Sequence, residues 1–210
     1  MSYIDRIAYN LGRRDEVANQ VLAKELAENK DRDGISEMVD HLSDKNKSVS
    51  SDCLKVLYEV GYQAPELIEP YLDHFLGFLS SKNNRMVWGS MIALANIATV
   101  APEKVFEHRP QIESLIETGT LITHIWGVYT LINLAAHGYY DALKESLFEL
   151  QRSCRPVDFA KRAESMAPVI ADKDLIDYVA LLEMRKPDLS KAAQKRLDKV
   201  LKNIRAQKWD

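Results

Sequence analysis

The chain of 210 residues contains few glycines and prolines. Its 8 Gly and 7 Pro make up about 7% of the sequence, whereas average proteins contain roughly 12%. Both residues interrupt regular secondary structure, so their scarcity predicts long, uninterrupted elements. Hydrophobic residues account for 46% of the chain, which is enough for a core and excludes an intrinsically disordered protein.

The sequence has only two cysteines, Cys53 and Cys154, about a hundred positions apart. No CxxC pair accompanies them, which excludes the usual patterns of a disulfide framework or a zinc site. We therefore expect two buried free thiols and a cytoplasmic location. The N-terminus has an early acid, Asp5, and no apolar run, so no secretory signal is expected.

Long hydrophobic runs are also missing. The stretch 118–140 has no Asp, Glu, Lys or Arg and is nominally long enough to cross a bilayer. It also contains His124, Asn133, His137 and four threonines, which lower its hydrophobicity. We interpret it as a buried helix with its loops and expect no membrane span.

Motifs of catalysis and cofactor binding are absent from the sequence. It contains no Gly-rich phosphate loop, no HExxH zinc motif, no GxSxG serine motif and no EF-hand calcium loop. None of the five histidines lies four residues from another, the spacing that suits a helical metal site. We therefore predict no cofactor, no metal site and no enzymatic activity.

An internal repeat with a period of 37 residues organises the chain. Three segments match a second segment at this one offset, and such periods are typical of repeat architectures. The matching segments are 42–47 with 79–84, 60–68 with 97–105, and 94–98 with 131–135.

Within one period the apolar residues follow helical spacing over two helices. Val49, Cys53 and Leu57 lie along the first helix of one copy. Pro65 and Pro102 suit the first turn of the second helix, where no amide N–H is needed. Short helices that are apolar on more than one face must stack on neighbouring pairs, which predicts an α-solenoid whose terminal pairs have polar outer faces.

The copy from Ser81 to Ala98, followed by Pro102-Glu103, resembles a HEAT repeat. It has a polar turn with a nearby Arg, a small and apolar first helix, and a Pro that opens the second helix. The copies at 45–79 and 118–153 match more loosely, with Tyr139 in the place of the Pro. The resemblance implies an all-α, armadillo-like fold, a right-handed α-α superhelix of about five helical pairs.

We predict a single domain over residues 1–210. Its parts are an N-terminal cap at about 1–44, clear repeats at about 45–79, 80–117 and 118–153, and C-terminal helices within 154–210. The C-terminal helices are predicted at 156–166, 173–185 and 189–208.

The first candidate partner-binding residues are aromatic. Trp88 and Trp126 lie near the starts of the first helices of successive copies, and Tyr129 follows one turn later. Stacked repeats bring equivalent positions together, so these side chains are suited to gripping a partner. The alternative is that they are large core residues filling the space between repeats.

The second candidate group is basic. The net charge of −3 argues against a globally basic nucleic-acid binder, but Ser190–Asp210 alone carries seven bases and two acids, so it has +5 and the remainder −8. Lys195, Lys199 and Lys202 lie in this predicted amphipathic helix and are suited to phosphates, an acidic lipid surface or an acidic protein. The alternative is a capping helix with a solvated face.

Helical repeats offer large surfaces to other proteins, and catalytic motifs are missing, so we predict a non-enzymatic scaffold or adaptor with a protein partner. One alternative is a nucleic-acid partner, as a DNA-binding protein or a DNA alkylation repair glycosylase, since some of these enzymes are built of HEAT-like repeats. Trp88, Trp126, Tyr129 and Asp141 are the kinds of residue that such an enzyme would need. Another alternative is a regulatory subunit of a larger enzyme complex.

Overall fold

Helices make up the regular secondary structure of the protein. A computed structural model describes residues 2–207, and within this range the chain forms thirteen α-helices and no strand. The predicted all-α fold is thus confirmed. Contacts divide the chain into two compact units, Met1–Thr130 and Leu131–Asp210. That residues 1–210 form a single domain stays a prediction.

The first unit contains α1 to α8 and the beginning of α9, and the second contains the remaining helices. The bounds in the first unit are α1 Val17–Glu28, α2 Arg32–Asp40, α3 Lys47–Gly61, α4 Pro65–Ile68, α5 Leu72–Phe78, α6 Asn84–Ile97, α7 Pro102–Phe106, α8 Arg109–Thr118 and α9 Leu121–Leu134. Those in the second are α10 Tyr140–Arg152, α11 Pro156–Met166, α12 Leu175–Arg185 and α13 Lys191–Gln207.

Asparagines cap two of the first helices, 37 residues apart. The Asn46 side chain accepts a hydrogen bond from the Ser48 N–H at 3.0 Å, and the Asn83 side chain accepts one from the Arg85 N–H at 3.0 Å. Each cap satisfies an amide that has no partner within its own helix. The period of the sequence therefore recurs in the capping interactions that begin α3 and α6.

The second helix of each of these copies begins at a proline, as predicted, but it is broken in two. α4 begins at Pro65 and α7 at Pro102. Pro70 lies in the 3-10 turn between α4 and α5, and Pro110 lies in the first turn of α8. A proline has no N–H to donate and its ring clashes with the preceding turn, so an α-helix does not run through it. These two copies therefore contain three helices each rather than the expected two, because their second helix is interrupted.

The third copy has no proline at the equivalent junction, and the chain takes another path there. α9 continues into a π-helical turn of five residues, Ala135–Tyr139, before α10 begins. Gly138 in this turn has a φ of +100°, in the left-handed region that glycine adopts without a Cβ clash.

We expect Gly138→Ala to lower the free energy of unfolding by about 1–2 kcal/mol, because an alanine Cβ is strained at this φ. A Cβ at Gly138 would meet no atom within 4 Å, so a loss of stability would report backbone strain and not a steric clash. Gly77→Ala in α5 is the matched control, since its Cβ would also meet nothing within 4 Å, and it is expected to be neutral or stabilising. Urea unfolding measures both variants, and equal effects would contradict the prediction.

The helices α3 and α6 are buried on most of their sides. Eleven of the fifteen residues of α3 and ten of the fourteen residues of α6 are buried. Helices of this kind lie between neighbours rather than on the surface of a fold.

Both cysteines are buried free thiols, as predicted. Burial raises the pKa of the Cys53 thiol to about 12, so it stays protonated at neutral pH and is a poor nucleophile. Burial also raises the pKa of Cys154.

The exposed surface of the N-terminal cap is less polar than we expected for a terminal pair. Leu11, Val17 and Val21 are exposed there. Together with Arg6 and Arg13 they line an open pocket of about 270 Å³. α1 directs Leu22 and Leu26 into the core, and the adjoining face of the helix keeps its valines in solvent.

The second unit contains the three C-terminal helices that the sequence predicts, observed as α11, α12 and α13. The predicted end of the last helix, Lys208, lies outside the described residues. α11 packs against α13, and Tyr178 of α12 is fully buried.

A buried carboxylate joins α10 to the start of α12. Asp174 accepts a hydrogen bond from the Lys144 ammonium group at 2.6 Å and one from the Tyr140 hydroxyl at 2.9 Å. The bond from Lys144, assisted by that from Tyr140, lowers the pKa of Asp174 against the opposing effect of burial. The ionised carboxylate is therefore stabilised in the folded state.

We expect Asp174→Asn to lower the urea midpoint at neutral pH. Because the folded pKa of Asp174 lies below its unfolded value, its stabilisation is present above about pH 4 and is lost as the pH falls through the folded pKa. The variant should consequently lose less stability than the wild type on acidification. Asp141→Asn is the control, since the exposed Asp141–Lys173 pair contributes little. An unchanged midpoint for Asp174→Asn at neutral pH would contradict this.

Candidate partner-binding surface

Five aromatic side chains from α3, α6 and α9 form a continuous row on the first unit. We call Tyr58, Tyr62, Trp88, Trp126 and Tyr129 the aromatic row. Ring centroids are separated by 6.1 Å for Trp88 and Tyr58, 6.1 Å for Tyr58 and Tyr62, 5.8 Å for Tyr62 and Trp126, and 5.4 Å for Trp126 and Tyr129. Tilted and edge-on rings at such distances attract each other. The structure thus joins the predicted Trp88 to the predicted Trp126 and Tyr129 through Tyr58 of α3 and through Tyr62, which directly follows that helix.

The row is partly buried. Tyr58 is 5% exposed and Tyr62 is 45% exposed, while Trp88, Trp126 and Tyr129 are half-buried. The rings thus contribute to packing, as the core interpretation expects, while their role in binding a partner stays a prediction. A portion of each half-buried ring packs within the first unit, and another portion faces solvent.

Each tryptophan of the row is followed by a glycine that lets its helix approach a neighbour closely. A Cβ at Gly89 would lie 2.5 Å from Leu54 Cδ2 of α3, and a Cβ at Gly127 would lie 2.4 Å from Ile116 Cγ1 of α8. Successive helical residues point about 100° apart, so the glycine faces the neighbour while the adjacent tryptophan reaches the surface. The dipeptide Trp-Gly, present in both copies, is a sequence signal for this arrangement.

Tyr58 and Tyr62, which connect the tryptophans, were not predicted from the sequence. At the offset of 37 these positions correspond to Ala95 and Thr99, so the comparison of copies shows no aromatic pattern. Their i, i+4 spacing places them on one face of α3, and this was the available signal. Burial raises the pKa of Tyr62 to about 12, so its hydroxyl is neutral at physiological pH.

Four charged side chains beside the row pair with one another. We call Glu16, Lys55, Glu59 and Arg85 the charge network. The Lys55 ammonium group lies 2.6 Å from a Glu59 carboxylate oxygen and 3.0 Å from one of Glu16, and Arg85 lies 3.4 Å from the other Glu16 oxygen. Lys55 also lies 4.9 Å from the centroid of the Tyr58 ring, which connects the network to the row.

Lys55 is the buried centre of this network. Only 11% of its side chain is exposed. Burial opposes the charged form, but the hydrogen bonds to Glu59 and Glu16 outweigh it and raise the pKa of Lys55. The ammonium group therefore stays protonated at physiological pH.

Exposed aliphatic side chains extend the aromatic row on α9. Ile122 is 43% exposed and lies four residues before Trp126, which in turn lies three residues before Tyr129. This spacing places all three side chains on one face of the helix. The neighbouring Leu121 is exposed as well. Exposed aliphatic side chains and half-buried aromatic rings thus lie next to each other on α9.

We expect Gly89→Val to lower the free energy of unfolding by about 2 kcal/mol, because the added side chain overpacks the contact between α6 and Leu54. Gly77→Val is the control, since it places the same side chain in a helix where a Cβ would meet nothing within 4 Å. Urea unfolding measures the difference between the variants, and near-ultraviolet circular dichroism reports the packing of the row. Indistinguishable midpoints would contradict this account of α3–α6 packing.

The predicted lysines lie on α13 in the second unit. Lys195, Lys199 and Lys202 are exposed. Two arginines of the same helix behave differently, because Arg196 pairs with Glu164 and Arg205 pairs with Glu183. The basic helix thus complements neighbouring acids through its arginines.

Asp141, the acid that the glycosylase alternative would need, is exposed on α10 and pairs with Lys173 at 2.6 Å. Within residues 2–207 no cluster of three or more His, Cys, Asp or Glu side chains is arranged to hold a metal ion. None of the described helices is long and apolar enough to span a bilayer.

Solved structures with similar folds include an engineered protein and designed armadillo repeat proteins. An engineered protein aligns with a TM-score of 0.63 at 19% identity, covering 98% of both chains. A designed armadillo repeat protein aligns with a TM-score of 0.63 at 16% identity, covering 96% of this chain and 98% of its own. Another, in complex with the peptide (KR)4, aligns with a TM-score of 0.66 at 15% identity over the same shares. No protein-family model and no curated protein matches the sequence.

These similarities define the class of fold. The protein has an armadillo/HEAT-like helical repeat fold, as the period of 37 and the HEAT-like copy predict.

Proposed function

We propose that the protein is a non-enzymatic scaffold that binds a segment of a partner protein through the aromatic row. The observation that carries the proposal is the continuity of the row across α3, α6 and α9, with Tyr62 and the half-buried tryptophans reaching solvent. Tyrosine and tryptophan dominate the energetics of protein interfaces because they bury large areas and lose few rotamers.

The side chains of the aromatic row are preorganised for binding. Its rings are held by contacts with one another, and Trp88 and Trp126 are positioned by the close helix packing at Gly89 and Gly127. Side chains that are already ordered lose little conformational entropy when a partner covers them. A binding segment therefore gains the full benefit of covering Tyr62, Trp126 and the exposed Ile122.

The charge network limits the type of segment that the neighbouring aromatic row is suited to bind. One designed armadillo protein of similar fold binds the basic peptide (KR)4. In this chain the carboxylates of Glu16 and Glu59 are paired with Lys55 and Arg85. A lysine or arginine of a ligand would have to compete with these internal partners, so we propose an apolar or aromatic segment of low charge as the ligand.

A regulatory subunit of an enzyme complex would use the same surface, and binding to the partner enzyme would then be its role. The cytoplasmic location expected from the free cysteines stays a prediction.

We expect Tyr62→Ala and Trp126→Ala each to weaken peptide binding about tenfold or more, because both remove large exposed rings of the row. Peptides selected from a random displayed library on the full-length protein would be the probes, with affinity measured by fluorescence anisotropy. Tyr9→Ala is the matched control, since Tyr9 is 47% exposed, close to the 45% of Tyr62, and lies outside the row. Peptides that bind the Tyr62→Ala, Trp126→Ala double variant as tightly as the wild type would refute the proposal.

A further inference from the structure

The exposed face of α13 carries a line of lysines. We call Lys191, Lys195, Lys199 and Lys202 the lysine stripe, and all four are exposed. They recur at intervals of four, four and three residues, so they share one side of the helix. The first two steps are about 6 Å along the helix axis and the last is about 4.5 Å, so the whole stripe is about 16 Å long.

The lysine stripe has no ionic partner among the described residues. Arg196 and Arg205 of the same helix reach Glu164 and Glu183, and Asp198 of α13 pairs with Lys186. Glu164, Glu183 and Asp198 are therefore paired with residues outside the lysine stripe. The four lysines remain as uncompensated positive charge.

Helix stability does not account for the stripe. Like charges four residues apart on a helix repel each other, and Lys191 lies in the first turn, where the helix dipole disfavours a cation. If these side chains served only to keep the helix surface solvated, alternating acidic and basic residues would serve equally well. The repulsion within the stripe therefore lowers the stability of the isolated protein, and an anionic ligand would relieve this repulsion.

The rest of α13 limits the kind of ligand. Leu197, Val200, Leu201 and Ile204 are buried in the second unit, so the apolar side of the helix is not free to insert into a lipid bilayer. The described part of α13 contains no aromatic ring on which a base could stack, and Arg196 and Arg205 are engaged in ion pairs. These features favour carboxylates of a protein over a membrane or a nucleic acid.

We propose that the lysine stripe binds a short acidic segment of a partner protein. In an extended segment, alternate side chains point to the same side about 6.6 Å apart, close to the 6 Å step of the stripe. A segment of about six residues spans the roughly 16 Å of the stripe, and an acid at every second position brings three carboxylates to the four lysines. This surface lies in the second unit and does not depend on the aromatic row.

The probe for this proposal is a fluorescein-labelled peptide of about ten residues in which Glu alternates with Gly, with a Gln-Gly peptide as its neutral counterpart. Anisotropy on the full-length protein should show binding of the Glu peptide that weakens as salt rises, because the lysines are exposed. Replacing all four stripe lysines by Gln should weaken binding about tenfold or more, whereas Tyr62→Ala with Trp126→Ala should leave it unchanged. A failure of the acidic peptide to bind the lysine stripe is therefore distinguishable from a failure of peptides to bind the aromatic row.

The matched control replaces four other exposed lysines, Lys30, Lys45, Lys47 and Lys82, by Gln. It changes the net charge by the same amount and should retain binding within about twofold. Equal losses in the two variants would overturn the proposal, because binding would then follow net charge alone. Tighter, stripe-dependent binding of a single-stranded DNA of the same charge, or of phosphatidylserine vesicles, would also overturn it in favour of that partner.

Discussion

The packing of α3 against α6 is the contact on which the first unit depends. Both helices bury most of their residues, and their apolar side chains leave water only when neighbouring helices cover them on several sides. Gly89 makes the contact close, since any larger side chain there would collide with Leu54. α3 also packs against α1 and α2, so the N-terminal cap supplies the cover that a preceding copy would otherwise provide.

This heavy burial also determines where function is able to reside. A first helix that is covered on most sides retains only a narrow line of exposed positions. On α3 and α6 this line includes Glu59, Arg85 and Trp88, and on α9 it carries Ile122, Trp126 and Tyr129. The same principle applies to α13, whose apolar side is buried while its lysines remain in solvent. In both units the residues left over by packing are the ones available to a partner.

Much of the fold was predictable because its signals are local. The prolines that open α4 and α7, and the boundaries of α11, follow from short-range backbone preferences. The breaks at Pro70 and Pro110 obey the same preferences, and the prediction missed them because it gave the period more weight than the individual prolines. Tyr58 and Tyr62 were missed for another reason. They have no aromatic counterparts in the next copy, and their link to the tryptophans exists only when α3, α6 and α9 are brought together.

By itself, the sequence determined that the chain forms helices with a period of 37, where most of those helices begin, and that two groups of residues, aromatic and basic, are candidates for binding. Only the tertiary structure decided how far Trp88 and Trp126 are exposed and which bases in the described part of α13 are already paired. Arg196, for example, meets Glu164 from 32 residues away, whereas Lys195 beside it meets no acid among the described residues. Exposure and ion pairing depend on distances between residues remote in the chain, and packing alone establishes those distances.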